Sequence, residues 1–136
     1  MRGHTLDSKR DNITGWNTFE WLSEKFFLES FGEINFKGFV VKSLEIIGYD
    51  PKNKALASTV YSNLSGAALR YEFRYEWEVH GNSVTHSGLG AKFTGILSND
   101  GRILKGGWRP DKDTKAAEGN AYDVVMTKMR WKTRKA

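Results

Sequence analysis

The feature that most constrains the fold is a strict alternation of apolar and charged residues over positions 71–79. A glutamate or an arginine separates each apolar side chain from the next, and the apolar members are Tyr71, Phe73, Tyr75, Trp77 and Val79. A period of two sorts two such sets onto opposite faces in a β-strand but not in a helix. The Gly81-Asn82 pair that follows can adopt positive φ, which predicts a hairpin with residues 84–88.

The rest of the chain repeats this organisation, because β-branched and aromatic segments are separated by turn signals every 8–12 residues. We predict strands at 16–23, 25–31, 38–49, 55–62, 67–79, 84–88, 91–97, 102–109 and 121–131. No segment has a convincing helical period. The sequence therefore predicts an all-β chain, an antiparallel up-and-down meander of about eight to nine strands that forms either a closed barrel or a sandwich.

The length of 136 residues corresponds to a single domain at 1–136, with no internal repeat or linker. We expect 110–119 to be a mobile loop and 132–136 to be a frayed basic tail. No apolar run approaches the about 20 residues of a membrane span, and no signal-peptide pattern is visible, so a cytoplasmic protein is expected. The absence of cysteine excludes disulfides, thiol catalysis and sulfur-ligated zinc in this chain.

The net charge of +5 points to nucleic acid, but the location of the charge weakens that interpretation. All of the excess lies in the last nine residues, from Lys128 to Lys135, whereas positions 1–127 carry 16 basic and 16 acidic side chains. Lysines on the solvent face of a terminal strand explain the pattern and oppose aggregation. Binding of a nucleic acid or of an anionic membrane surface through this segment is the alternative.

Several segments together resemble a known bacterial family. They are Phe-Glu-Trp-Leu at 19–22 with Phe-Phe-Leu at 26–28, the run at 44–51 ending in Gly-Tyr-Asp-Pro, the run at 92–101, Gly-Trp at 107–108, and 123–128. In this order they resemble the family called domain of unknown function 1579, over about residues 3–128. The resemblance implies a lipocalin-like, calycin-type β-barrel and brings no activity or cofactor with it. Such sequences generally begin with an extra glycine-tryptophan segment, and we expect its loss to leave an unpaired sheet edge that favours a homodimer.

Aromatic residues are the best candidates for binding, because tryptophan and tyrosine combine apolar area with one polar atom. The alternative of equal weight is that they fill the barrel, since an eight-stranded barrel is just wide enough for side chains or one small ligand. A mid-strand histidine joins this set if Val84 points inward, because the period of two then also directs His86 inward. The predicted ligand-binding residues are Trp21, Tyr61, Tyr75, Trp77, His86, Trp108 and Tyr122.

Two residues are candidates for acid–base chemistry, namely His86 and Glu45. Glu45 interrupts the apolar run Leu-Glu-Ile-Ile, and an inward carboxylate there would have a raised pKa unless it were paired. The plainer expectation is that Glu45 points outward and that a neighbouring strand satisfies His86. No metal site is predicted, because no two histidines have the spacing of metal ligands. No cofactor is predicted, and no phosphate-binding loop occurs. A serine nucleophile has no support either, because the sequence contains no nucleophile elbow.

These observations favour a binding module that holds an apolar or amphipathic small molecule in an aromatic-lined interior. One alternative is an isomerase or hydrolase that acts on a lipophilic substrate and uses His86 or Glu45. A second is binding of a nucleic acid or a partner protein through the basic C-terminal strand.

Overall fold

The computed structural model describes residues 1–63, 71–88, 90–111 and 121–130, without the side chains of 71–76. A short 3₁₀ turn, Ser23–Lys25, joins the second and third strands. The strands are β1 (Arg2–Thr5), β2 (Ile13–Trp21), β3 (Phe27–Phe36), β4 (Phe39–Asp50), β5 (Ala55–Ser62), β6 (Tyr71–His80), β7 (Ser83–Gly88), β8 (Ala91–Leu97), β9 (Ile103–Pro110) and β10 (Tyr122–Thr127). The segments predicted to be mobile or frayed, 110–119 and 132–136, fall almost entirely outside the described residues.

The all-β prediction is confirmed, and the meander closes into a barrel rather than a sandwich. Each strand pairs antiparallel with its neighbour in the chain, and β1 pairs with β10 to complete the circle. The nine strands predicted from residue patterns do not include β1, whose sequence Arg-Gly-His-Thr has no alternation, although the family resemblance implies a strand that begins at Gly3. Because β1 is bonded to β10 on one side and to β2 on the other, the expected unpaired edge near the N-terminus is wrong.

The meander places successive turns at opposite ends of the barrel. One end, called here the termini end, carries residue 1, the turns 22–26, 51–54, 81–82 and 98–102, and the segment 128–130. The other, called the opposite end, carries the turns 6–12 and 37–38 together with the remaining connections. This division decides which side chains surround each opening of the barrel.

The inner face is apolar on one side of the barrel. Ile13, Phe93 and Val124 are buried there, and side chains from β3, β9 and β10 pack against them. Two glycines make room for the aromatic ring in this cluster, because a Cβ on Gly95 or Gly106 would come within 2.7 Å of Phe93. These two glycines therefore serve close packing of a ring against the sheet.

The inner face on the other side of the barrel is polar at several positions. Ser30, Ser58 and Ser62 are all buried on β3 and β5. They lie on the same face as Glu45 of β4, since Ser30 and Val60 are its cross-strand partners. A carboxylate therefore lies inside the barrel, among small hydroxyl side chains.

Candidate functional site

The candidate site is a cluster of four side chains contributed by four consecutive strands. Glu45 lies on β4, Ser58 on β5, Trp77 on β6 and His86 on β7. The side chains of Glu45 and His86 are each only 12% exposed. The antiparallel register brings the four together although Glu45 and Trp77 are 32 residues apart in the chain.

One carboxylate oxygen is the centre of this cluster. The Ser58 hydroxyl donates a hydrogen bond of 2.5 Å to Oε1 of Glu45, and the Trp77 indole N–H lies 3.1 Å from the same oxygen. The indole N–H is also 3.1 Å from the Ser58 oxygen, so it is shared between two acceptors. Hydrogen bonds to an ionised acceptor are stronger than neutral ones, and they offset part of the cost of burying the charge.

The imidazole of His86 lies between the Glu45 carboxylate and a row of aromatic rings, called here the aromatic wall, which consists of Trp77, Trp108 and Phe93. Its Nε2 atom is 3.4 Å from Oε1 of Glu45. Its ring stacks on Trp77, with centroids 3.7 Å apart and an interplanar angle of 16°. The centroid of the imidazole also lies 5.3 Å from the ring centroid of Trp108, and the centroids of the Trp108 and Phe93 rings are 5.9 Å apart. The wall therefore runs from the polar cluster into the apolar cluster.

The order of the polar groups limits the chemistry available to them. In a nucleophilic triad the imidazole lies between the serine and the carboxylate and removes the serine proton. Here the carboxylate is the shared acceptor, and the serine hydroxyl donates directly to it. The arrangement is suited to binding a hydrogen-bond donor or to acid–base chemistry, but not to activating Ser58 as a nucleophile.

A row of mostly apolar positions on the inner face extends from beside this cluster to the rim at the termini end. In cross-strand register, Trp21 is opposite Leu28, Leu28 is opposite Ile47, and Ile47 is opposite Ser58. These four positions therefore share the inner face. Trp21 is nevertheless 61% exposed, which places it at the rim of the barrel.

Six of the seven predicted ligand-binding residues divide into three groups. Trp77, His86, Trp108 and Tyr122 lie on the inner face, and Tyr122 packs edge-on against Phe36 at 5.3 Å, within the apolar cluster. Trp21 lies at the rim. Tyr75 is opposite Ser58 in the register, but its side chain lies outside the described residues.

Tyr61 does not line the interior, and this part of the prediction is wrong. Its neighbours Val60 and Ser62 are buried on the inner face, so the period of two turns Tyr61 outward. It lies opposite Leu44, which lies opposite Phe31, in an outer row across β3, β4 and β5. Aromatic composition alone cannot distinguish the two faces of such a strand.

The expectation that Glu45 points outward is also wrong. The outer face of β4 carries Leu44 and Ile46, so apolar residues occupy both faces and the alternation that would locate Glu45 is lost. Ser58 was not predicted at all, because a serine in the sequence Ala-Ser-Thr-Val gives no signal.

Neither a protein-family model nor a curated protein matches this chain. The resemblance to domain of unknown function 1579 therefore stays a prediction. Among the residues that the structure describes, no helix is long and apolar enough to cross a membrane. Within the same residues, no three histidine, aspartate or glutamate side chains are grouped so as to hold a metal ion.

Proposed function

We propose that this barrel binds an amphipathic small molecule, with the polar group of the ligand at Glu45 and His86 and its apolar part along the aromatic inner face. The observation that carries the proposal is the carboxylate inside the barrel. Replacing a buried charged group together with its polar partners by apolar side chains of similar volume is often neutral or stabilising, although removing one partner alone is costly. Stability alone therefore does not account for Glu45, and a binding role does.

The charge of the interior favours a particular kind of polar group. Among the described inner-face positions, Glu45 is the one acidic residue, and none is lysine or arginine. Ser58 and Trp77 both donate to its Oε1 atom. A hydroxyl, amide or ammonium group of a ligand would add a further donor to this carboxylate, whereas an anionic head group would be repelled by it.

The test compares three competitors with the same dodecyl chain and different head groups. The uncharged dye N-phenyl-1-naphthylamine reports occupancy of the interior, and dodecylamine, dodecanol and dodecanoate are titrated against it below their micelle concentrations. We expect dodecylamine to displace the dye at the lowest concentration and Glu45→Gln to weaken dodecylamine by about tenfold, since a bond to a charged acceptor exceeds a neutral one by roughly 1.4 kcal/mol.

Glu33→Gln is the matched control, because Glu33 lies on the outer face and pairs with Lys42 at 3.7 Å. It should leave all three competitors unchanged. A barrel that binds no displaceable dye would overturn the proposal. Equal effects of the two glutamine substitutions would overturn the role of Glu45.

The second candidate is an enzyme, an isomerase or hydrolase for a lipophilic substrate, and the 3.4 Å approach of His86 to Glu45 is the observation that favours it. A carboxylate and an imidazole at this separation can exchange a proton with a bound substrate. The experiment is to test an activity found with any lipophilic substrate in Glu45→Gln and His86→Gln. Full activity in both variants would exclude this candidate.

The remaining predictions from the sequence are still predictions, since nothing in the structure tests them. Nucleic-acid or partner-protein binding rests on Lys128–Lys135, of which the structure describes 128–130. A cytoplasmic location likewise rests on the sequence alone. The homodimer loses the basis that the sequence offered, because β1 pairs with both β10 and β2 and closes the edge on which the dimer depended.

A further inference from the structure

We propose that the termini end of the barrel docks on an anionic lipid bilayer and inserts an apolar projection into its interface. The projection, called here the aromatic tip, consists of Trp21, Leu22, Phe26, Phe27 and Tyr49. All five are exposed large apolar side chains, and Phe26 is 73% exposed. The five positions are neighbours, because Trp21 precedes Leu22, Phe26 precedes Phe27, and Phe27 is opposite Gly48, which precedes Tyr49. Exposed apolar groups gathered in this way mark a surface that has a partner.

The backbone holds the aromatic tip in a defined conformation. The N–H of Leu22 donates to the carbonyl of Phe27 at 2.9 Å, and the N–H of Lys25 donates to the carbonyl of Leu22 at 3.0 Å. Glu24 and Lys25 have φ values of 65° and 57°, which non-glycine residues rarely adopt. The chain therefore keeps an unfavourable turn that presents Leu22 and Phe26 to the solvent, and nothing within the described residues covers them.

The charges around the aromatic tip fit an anionic surface. In the described turns and terminal segment of the termini end, six side chains are cationic and two are acidic. The cations are Lys25, Lys52, Lys54, Arg102, Lys128 and Arg130, and the acids are Glu24 and Asp100. The described turns of the opposite end are balanced, with Lys9, Arg10 and Lys37 against Asp7, Asp11 and Asp111.

The order of the strands around the barrel places cations on both sides of the aromatic tip. The turn 51–54, with Lys52 and Lys54, is next to the turn 22–26 in one direction. In the other direction lies the segment 128–130, which with Arg102 lines a surface cleft of about 520 Å³. Cations flanking an apolar projection can contact lipid phosphates while the projection enters the acyl region.

The same charges argue against a second copy of the chain as the partner. An isologous dimer through the termini end would place two identical patches face to face and bring the six cations of each copy together. A lipid bilayer avoids this repulsion and supplies the opposite charge. It also provides the interface at which tryptophan and tyrosine are enriched in membrane proteins.

The test is cosedimentation with vesicles, using variants matched between the two ends of the barrel. The vesicles contain either phosphatidylcholine with phosphatidylserine or phosphatidylcholine alone. Phe26→Ser should weaken binding to the anionic vesicles by roughly tenfold, because a phenylalanine side chain leaves the apolar phase. Phe39→Ser is the control, since Phe39 is 51% exposed at the opposite end, and it should change binding less than twofold.

The charge contribution is tested in the same assay. Reversal of Lys52 and Lys54 to glutamate should weaken binding by at least roughly twentyfivefold, because each lysine near an anionic surface contributes about a factor of five. Lys37→Glu at the opposite end is its control. Quenching of fluorescence by brominated phosphatidylcholine should fall in Trp21→Phe but not in Trp16→Phe.

Three results would overturn the proposal. They are equal binding to both kinds of vesicle, equal loss in Phe26→Ser and Phe39→Ser, and a dimer in light scattering that Phe26→Ser dissociates. The proposal does not rest on the proposed ligand. Dye displacement measured without vesicles tests the interior alone, so failure of one leaves the other standing.

Discussion

The interaction between Glu45 and Ser58 can be measured with a double-mutant cycle. Glu45→Leu removes the acceptor of the 2.5 Å hydrogen bond and leaves a buried hydroxyl in an apolar surrounding. Trp77 is affected less, because its N–H retains the Ser58 oxygen at 3.1 Å. The destabilisation caused by Glu45→Leu should therefore arise mainly at the serine.

The expected magnitudes follow from these contacts. An unsatisfied buried hydroxyl costs about 1–3 kcal/mol, so Glu45→Leu alone should lower the free energy of unfolding by roughly 2 kcal/mol. Removing the hydroxyl as well, with Ser58→Ala, should recover most of that loss. The coupling energy of the cycle is then about 1–2 kcal/mol, well above the few tenths found for independent sites.

The assay is urea unfolding of the four proteins followed by circular dichroism, with Glu33→Gln as the reference for a carboxylate in an ion pair on the outer face. That reference should change stability by less than about 0.5 kcal/mol, because exposed ion pairs contribute little. Additive single variants would refute the reasoning. So would a Glu45→Leu variant as stable as the wild-type protein.

Two further predictions concern the sheet and a turn. Gly106→Ala should lower the free energy of unfolding by about 3 kcal/mol, because its Cβ would overlap the backbone of Thr94 and Gly95, whereas Gly81→Ala meets open space and should cost about 1 kcal/mol in the same urea assay. The hydrogen bonds that Asp100 accepts from the Ser98 hydroxyl and the Arg102 N–H hold the pKa of Asp100 below its ordinary value of 3.8. They therefore stabilise the turn at neutral pH and are lost as the pH falls through that lowered pKa. A carbon-13 titration should show this, and Ser98→Ala should move the pKa back towards 3.8; an unchanged pKa would contradict the assignment.

The sequence was sufficient to predict the positions of the strands whose two faces differ in polarity. Positions 71–79 alternate over their whole length, and β6 spans Tyr71–His80. Alternation could not decide between barrel and sandwich, because closure depends on β1, a strand of four residues. Its pairing with β10 joins positions about 120 residues apart, such as Gly3 and Val124, and no local pattern encodes such a contact.

The candidate site was predicted in part, for a similar reason. His86 and Glu45 were both recognised as unusual polar residues in strands, but no sequence pattern indicates that they lie together. Their approach depends on the register of β4 to β7, and Ser58 enters through the same register. Tyr61 was assigned to the wrong face because Leu44 and Phe31 make the outer surface of this part of the sheet as apolar as the inner one.

One side of the barrel interior is apolar and the other is polar, and the strand pairing explains this difference. The seam of the barrel is β1, which pairs with β2 at Arg2 and Gly3 alone. The buried cluster of Ile13, Phe93 and Val124 lies beside that seam, since Gly3 is opposite both Ile13 and Val124. Apolar packing is therefore concentrated where hydrogen bonding between strands is shortest. β4 and β5, by contrast, pair continuously from Ser43 to Asp50, so their backbone needs less support from the side chains. A carboxylate and two buried serines, Ser58 and Ser62, are tolerated on that side.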